Sequence, residues 1–208
     1  MNSPRVTSSI ALVACASSFV LMLSACSSDS AAAPSSTPSV AEVASSAVPE
    51  APAASMGCPT AAPTTAGAPE WTLPGTTGSV AVTGSTDTAA PVVKVSAPFS
   101  VTETEVHTLK AGDGPVVADT ATVNVCYMGV NGRDGTVFDS SYERGEPAEF
   151  PLSGVVAGFQ KAIAGQKVGS TVGVAMDAAD GYPDGQPSAG IQKGDTLVFA
   201  IKILDVTG

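Results

Sequence analysis

Basic residues are scarce in this chain. Nine Lys and Arg stand against nineteen Asp and Glu in 208 residues, for a formal net charge of -10. No basic residue occurs between Arg5 and Lys94. That excludes a nucleic-acid partner, which needs clustered Lys and Arg to neutralise phosphates; the acidic balance serves solubility. Histidine is represented by His107 alone, and no two of Cys15, Cys26, Cys58 and Cys126 form a C-x-x-C pair. A four-ligand zinc site of the common spacings is thereby excluded. His107 has no cysteine or second histidine near it to build a ligand set or a triad, and reads as an exposed strand residue. The Gly112-Asp113-Gly114 turn is followed by Pro115-Val116-Val117, without the third glycine and helix start of a phosphate cradle. A G-x-S-x-G elbow is absent, which argues against a serine hydrolase. Asp177, Asp180 and Asp184 lack the spacing and closing Glu of a calcium loop. No metal and no cofactor are expected.

Long apolar runs are also missing. Ile10 to Leu23 is mostly apolar and uncharged, but it is too short and too rich in Ser and Ala for a membrane span of about 20 residues. With Arg5 ahead of it and Leu23-Ser24-Ala25-Cys26 after it, residues 1–25 read as a signal peptide ending in a sequence that resembles a bacterial lipobox. This implies lipidation of Cys26 and an anchor on the extracytoplasmic face of the cell envelope, since acyl chains hold a protein at a bilayer without spanning it. Residues 26–70 are Ser, Ala, Pro and Thr with little else. They show no apolar periodicity and read as a disordered tether. Cys58 interrupts it. Once Cys15 is removed and Cys26 lipidated, Cys58 and Cys126 remain; they pair as a disulfide, as thiols in an oxidising compartment tend to, or Cys126 stays a buried free thiol and Cys58 an exposed one.

From Trp71 the texture changes to short alternating strands separated by Gly, Pro and Asp. Residues 71–100 form a β-rich extension and 101–208 one folded domain. Strands are predicted at Ser79–Val82, Val92–Val95, Val101–Leu109, Ala121–Val130, Val168–Met176 and Thr196–Val206. The strand from Ala121 turns at Asn131-Gly132 or Asp134-Gly135, dipeptides that supply positive φ. One helix is predicted over 155–164, where Val155, Phe159 and Ile163 make a single apolar stripe and Gly165 is the stop. A single helix among antiparallel strands makes the fold class α+β.

Several motifs follow one another in this domain: Tyr127-Met128-Gly129, Asp134 to Ser141 (DGTVFDSS), Arg144 to Phe150 (RGEPAEF), Val155 to Phe159 (VVAGF), Lys167 to Ser170 (KVGS), the Tyr182 loop and Thr196 to Phe199 (TLVF). Together they resemble the FK506-binding-protein (FKBP) family of peptidyl-prolyl cis-trans isomerases over about Val101 to Val206. The resemblance implies an antiparallel sheet wrapped around one short helix, with a proline pocket between them. Carried over, the catalytic residues are Tyr127, Phe138, Asp139, Phe159, Tyr182 and Phe199, and Val155, Val156, Ile191 and Arg144 bind substrate. Tyr182 would donate to the substrate carbonyl, and Asp139 would hold Tyr127 or Arg144. The implied partners are proline-containing polypeptide segments of exported proteins, and macrolides of the FK506 type as inhibitors. Phe159 stands where the family usually has Trp, Ala148 where an aromatic wall residue is frequent, and Pro183 where Gly is usual. These differences favour the rival reading, a non-catalytic proline-binding or chaperone module on the envelope.

Overall fold

The computed structural model describes residues 57–63 and 67–207. The signal segment, Cys26 and the tether up to residue 56 lie outside the described residues. The elements are β1 (Trp71–Pro74), β2 (Thr77–Thr83), β3 (Val92–Ser100), β4 (Glu105–Lys110), β5 (Thr122–Asn131), β6 (Val137–Ser140), the one-turn α1 (Ser141–Arg144), β7 (Ala148–Pro151), α2 (Ala157–Ile163), β8 (Thr171–Met176) and β9 (Leu197–Thr207). They build two antiparallel sheets, one ordered β1-β2-β3 and one ordered β4-β8-β9-β5-β6, with β7 also pairing to β5. The α+β class and the sheet wrapped on a short helix are as the sequence predicts.

β8 and β9 are buried on both faces, so they read as nearly continuous apolar runs. Their two faces differ in size. Val172, Val174, Met176, Leu197, Phe199, Ile201 and Ile203 join α2 in the main core. The opposite face presents Ala175, Val198 and Ala200, and receives Val80, Val82 and Phe99 of the smaller sheet, with Trp71 and Leu73 packed beside them. Small residues are required there: a Cβ on Gly173 would lie 2.8 Å from Trp71 Cε3. His107 is exposed in β4, as expected, and stacks on Trp71 with ring centroids 5.6 Å apart.

α2 starts two residues later than the predicted helix. Val155 and Val156 are still extended, and Val156 is the N-cap. Phe159 and Ile163 supply the buried stripe, and Gly165 at φ 80° ends the helix. Of the two candidate turns after β5, the chain uses Asp134-Gly135. Gly135 takes φ 77° and its N–H donates to the Asn131 carbonyl at 2.8 Å. Gly132 serves close approach instead, since a Cβ there would lie 2.6 Å from the Phe99 carbonyl oxygen. Val101 lies outside β4 and donates its N–H to Thr196 Oγ1 at 3.2 Å.

Residues 57–63 are not free chain. Cys58 is buried and forms a disulfide with Cys126, and the pair packs with Tyr142 in a small cluster of its own. Of the two alternatives open for these cysteines, the structure takes the disulfide.

Candidate active site

β5, β6, β9, α2 and the loop after β8 converge on one open cavity of about 400 Å³, within the range of small-ligand pockets. Its lining is Tyr127, Phe138, Asp139, Phe150, Gly154, Val155, Val156, Phe159, Tyr182 and Phe199. Eight of the ten residues assigned to catalysis and substrate binding from sequence are in that set. Phe159 forms the floor, with Tyr127 and Phe199 both edge-on to it at 6.0 and 5.5 Å between centroids. Phe138 meets Phe199 at 5.5 Å and 89°, and Phe150 meets Phe159 at 5.8 Å and 77°. Edge-to-face pairs contribute about 0.5–1.5 kcal/mol each beyond area burial, so the box is held in shape without a ligand.

Three local devices aim these side chains. Along a regular strand Phe138 and Asp139 would face opposite sides. The β5–β6 register, however, pairs Gly129 with Asp139 and Val130 with Val137, leaving Phe138 as an extra residue. That bulge turns consecutive residues onto the cavity. Gly129 provides room for the rings, since a Cβ there would lie 2.6 Å from Phe138 Cζ and 2.8 Å from Phe199 Cε1. The loop carrying Tyr182 is tied down by Lys161 Nζ on Asp180 Oδ2, by the Gly158 amide on the Asp180 carbonyl at 2.9 Å, and by Thr104 Oγ1 on Asp177 Oδ1 at 2.9 Å.

The cavity's one ionised wall group is fully engaged. Tyr127 donates its hydroxyl to Asp139 Oδ2; Arg144 donates Nη1 to Asp139 Oδ1 at 2.6 Å and Nη2 to the Tyr127 hydroxyl at 3.1 Å. Burial alone would raise the Asp139 carboxyl, but the hydrogen bonds from Tyr127 and Arg144 outweigh it and hold the group below the ordinary carboxylate range. Burial, followed by donation to Asp139, pushes the Tyr127 phenol up to about 12. The site is therefore a neutral phenol, a carboxylate and a guanidinium across neutral pH.

Two assigned residues are placed differently. Arg144 acts on Tyr127 and Asp139 from outside the lining, exposed above the Tyr127 ring with its guanidinium carbon 5.7 Å from the centroid. Ile191 is 2% exposed and packs in the main core, because its N–H and carbonyl pair with Gln186 and draw the loop inward. It supports the rim from below instead of forming it. Phe150 and Gly154 were missed. Phe150 closes the RGEPAEF motif, and in a four-residue strand with exposed Glu149 and Pro151 beside it only the alternation marks it as inward. Ala148 is half-buried against the core and adds nothing to the cavity wall. Among the described residues no cluster of His, Cys, Asp and Glu could hold a metal.

Residues 114–204 match the family model described as FKBP-type peptidyl-prolyl cis-trans isomerase. The chain is 40% identical over 98 residues to the FKBP-type 22 kDa peptidyl-prolyl cis-trans isomerase of Escherichia coli, covering 47% of each chain. It spans about half of that relative's length. It is 40% identical over 94 residues to a probable FK506-binding protein of Corynebacterium glutamicum, covering 45% of this chain and 78% of that one. Against an FK506-binding protein of Streptomyces anulatus the identity is 37% over 98 residues, covering 46% and 79% of the two chains. With most of these two relatives' length matched at such identity, the chain belongs to the family of FKBP-type peptidyl-prolyl cis-trans isomerases.

Proposed function

We propose that this chain catalyses cis-trans isomerisation of X–Pro peptide bonds, with the proline ring seated in the aromatic cavity. The observation that carries this reading is a preformed cavity lined by six aromatic rings whose single carboxylate is already bonded by Tyr127 and Arg144. The uncatalysed rotation crosses a barrier of roughly 18–20 kcal/mol, because the planar amide owes its stability to resonance. Water strengthens that resonance by bonding to the charge-separated form. An apolar box withdraws the water, so the planar ground state loses support that the twisted transition state never had. Asp139 does not attack the substrate; its lone pairs hold Tyr127 and Arg144 in place. The Tyr182 hydroxyl has no hydrogen-bond partner among the described residues and lines the cavity, so it is available to donate to the substrate carbonyl. Each tenfold in rate asks for about 1.4 kcal/mol, within reach of one such hydrogen bond and a shaped apolar surface.

The substrates in this reading are proline-containing segments of exported proteins, and macrolides of the FK506 type are candidate competitors for the cavity. The site of action is the extracytoplasmic face of the envelope, with the chain anchored through lipidated Cys26. Support comes from the lipobox-like Leu23-Ser24-Ala25-Cys26 and from the Cys58–Cys126 disulfide, a bond that persists in oxidising compartments.

The test is a proline-isomerisation assay on an X–Pro peptide with the full chain and with Phe159→Ala. The full chain accelerates the reaction and the variant, its floor removed, loses at least about tenfold by misplacing the ring. Tight peptide binding without acceleration would replace this reading with that of a non-catalytic proline-binding module.

A further inference from the structure

The outer edge of β5 is covered by two different partners. β7 takes Thr122–Val125 and β6 takes Met128–Val130. Cys126 and Tyr127 fall in the gap between them, with no strand neighbour on that side. A buried main-chain N–H cannot be left unpaired there without cost. The Tyr127 amide donates to Ser141 Oγ at 2.8 Å, and the same hydroxyl lies 3.3 Å from the Tyr127 carbonyl oxygen and 3.3 Å from Cys58 Sγ. A disulfide sulfur carries no hydrogen, so Ser141 is the donor to it. The proton of one fully buried hydroxyl is thus shared between the backbone of a site residue and a sulfur of the segment that precedes the domain.

That segment grips α1 a second time. The Cys58 amide donates to the Gly145 carbonyl at 3.2 Å, immediately after Arg144; separately, the Ala90 amide in the loop before β3 donates to the Ala61 carbonyl at 2.9 Å and ties the same segment down away from α1. Gly145 has φ 75° and ends α1. Residues 57–63 therefore form a strap over the turn that carries Ser141 and Arg144, with the disulfide fastening it to the residue beside Tyr127.

We propose that Ser141 is a positioning residue for the isomerisation and that the Cys58–Cys126 strap holds it, so that opening the disulfide lowers catalysis in a folded chain. The proposal rests on the isomerase reading above. The opening is a two-electron step: a dithiol reductant supplies two electrons and two protons, the S–S bond breaks into two thiols, and the reductant closes its own disulfide. Once freed, Cys58 can leave Ser141 and Gly145. The hydroxyl then loses one of its acceptors and α1 loses its outer cover, and Tyr127 and Arg144 shift relative to the cavity.

The experiment uses the full chain, before and after dithiothreitol, beside Cys58→Ala and Ser141→Ala. Rates come from exchange NMR on an X–Pro peptide, which needs no coupling protease. The Tyr127 amide and Arg144 Nε–H signals are followed without peptide. Reduction is expected to lower kcat/KM by about tenfold or more, chiefly through kcat, as a displacement of reacting geometry does. Far-UV circular dichroism should stay unchanged and both signals should shift. Cys58→Ala should give the lowered rate with or without reductant, which separates this disulfide from Cys15 and Cys26. Ser141→Ala, with the disulfide closed, should be slow as well. A reduced chain within twofold of the oxidised rate and with unmoved signals would overturn the proposal. So would Ser141→Ala at the wild-type rate, including the case in which reduction unfolds the chain. If the oxidised chain does not isomerise at all, the function reading fails alone, and the two signals still decide whether the strap positions Tyr127 and Arg144.

Discussion

Replacing Gly129 by Ala should damage the cavity out of proportion to its cost in stability. The added Cβ would stand 2.6 Å from Phe138 Cζ and 2.8 Å from Phe199 Cε1, where carbon pairs rest at about 3.5–4.0 Å. Neither ring is a loose end: Phe199 is 5% exposed and contacts Tyr127, Phe138 and Phe159 at once. Each must retreat by roughly 1 Å, an overpacking of the kind that costs about 1–3 kcal/mol. At roughly 2–4 °C per kcal/mol for a domain of this size, the melting temperature should fall by several degrees. The rings that move are two walls of the cavity, and a displacement of that size can cost on the order of 10²-fold in rate. The assay is kcat/KM for an X–Pro peptide beside thermal melting of the same samples. A variant within about twofold of wild type in kcat/KM would refute the claim that these rings must stand where they do.

Other expectations follow from the same contacts. Asp139 is lowered in the folded chain, so its contribution to stability is present at neutral pH and is lost as the pH falls through its folded value. Tyr127 is raised to about 12, so its contribution is complete below the ordinary phenol value of about 10 and is lost as the pH rises from there. Isomerisation should accordingly be flat from about pH 6 to 8; a steep bell in that range would show a titrating group in the mechanism. Gly173→Ala should push Trp71 away from β8 and destabilise by about 1–3 kcal/mol, with kcat/KM unchanged, because that contact is on the sheet face opposite the cavity. Equal losses in melting temperature and rate would contradict this separation.

Much of the fold could be read from the chain because the strands obey simple periods. β9 is apolar without a break from Leu197 to Ile201, where it is covered on both faces, and Phe159 and Ile163 mark the buried side of α2. The site was readable chiefly as an ordered set of motifs. Periodicity alone would have separated Phe138 from Asp139; the bulge that unites them leaves no mark in a string of residues. Phe150 was hidden for a related reason, because β7 is four residues long and offers two turns of alternation at most. Ile191 was misjudged because a loop pinned by its own main-chain hydrogen bonds draws an apolar side chain inward. In the tether only Cys58 bore on the return of residues 57–63 to the domain, and it left the disulfide as one of two alternatives. The return depends on one disulfide partner 68 residues away, a long-range pairing that local composition does not encode.

The proposed function requires that this cavity turn proline bonds over as well as hold them. Exchange NMR on an X–Pro peptide in large excess over the full chain measures both at once. Cis-to-trans exchange should run well above the uncatalysed rate, reduced about fivefold in Tyr182→Phe by the loss of one hydrogen bond worth about 1 kcal/mol. Line broadening that reports binding, with exchange left at the uncatalysed tens of seconds, would contradict it.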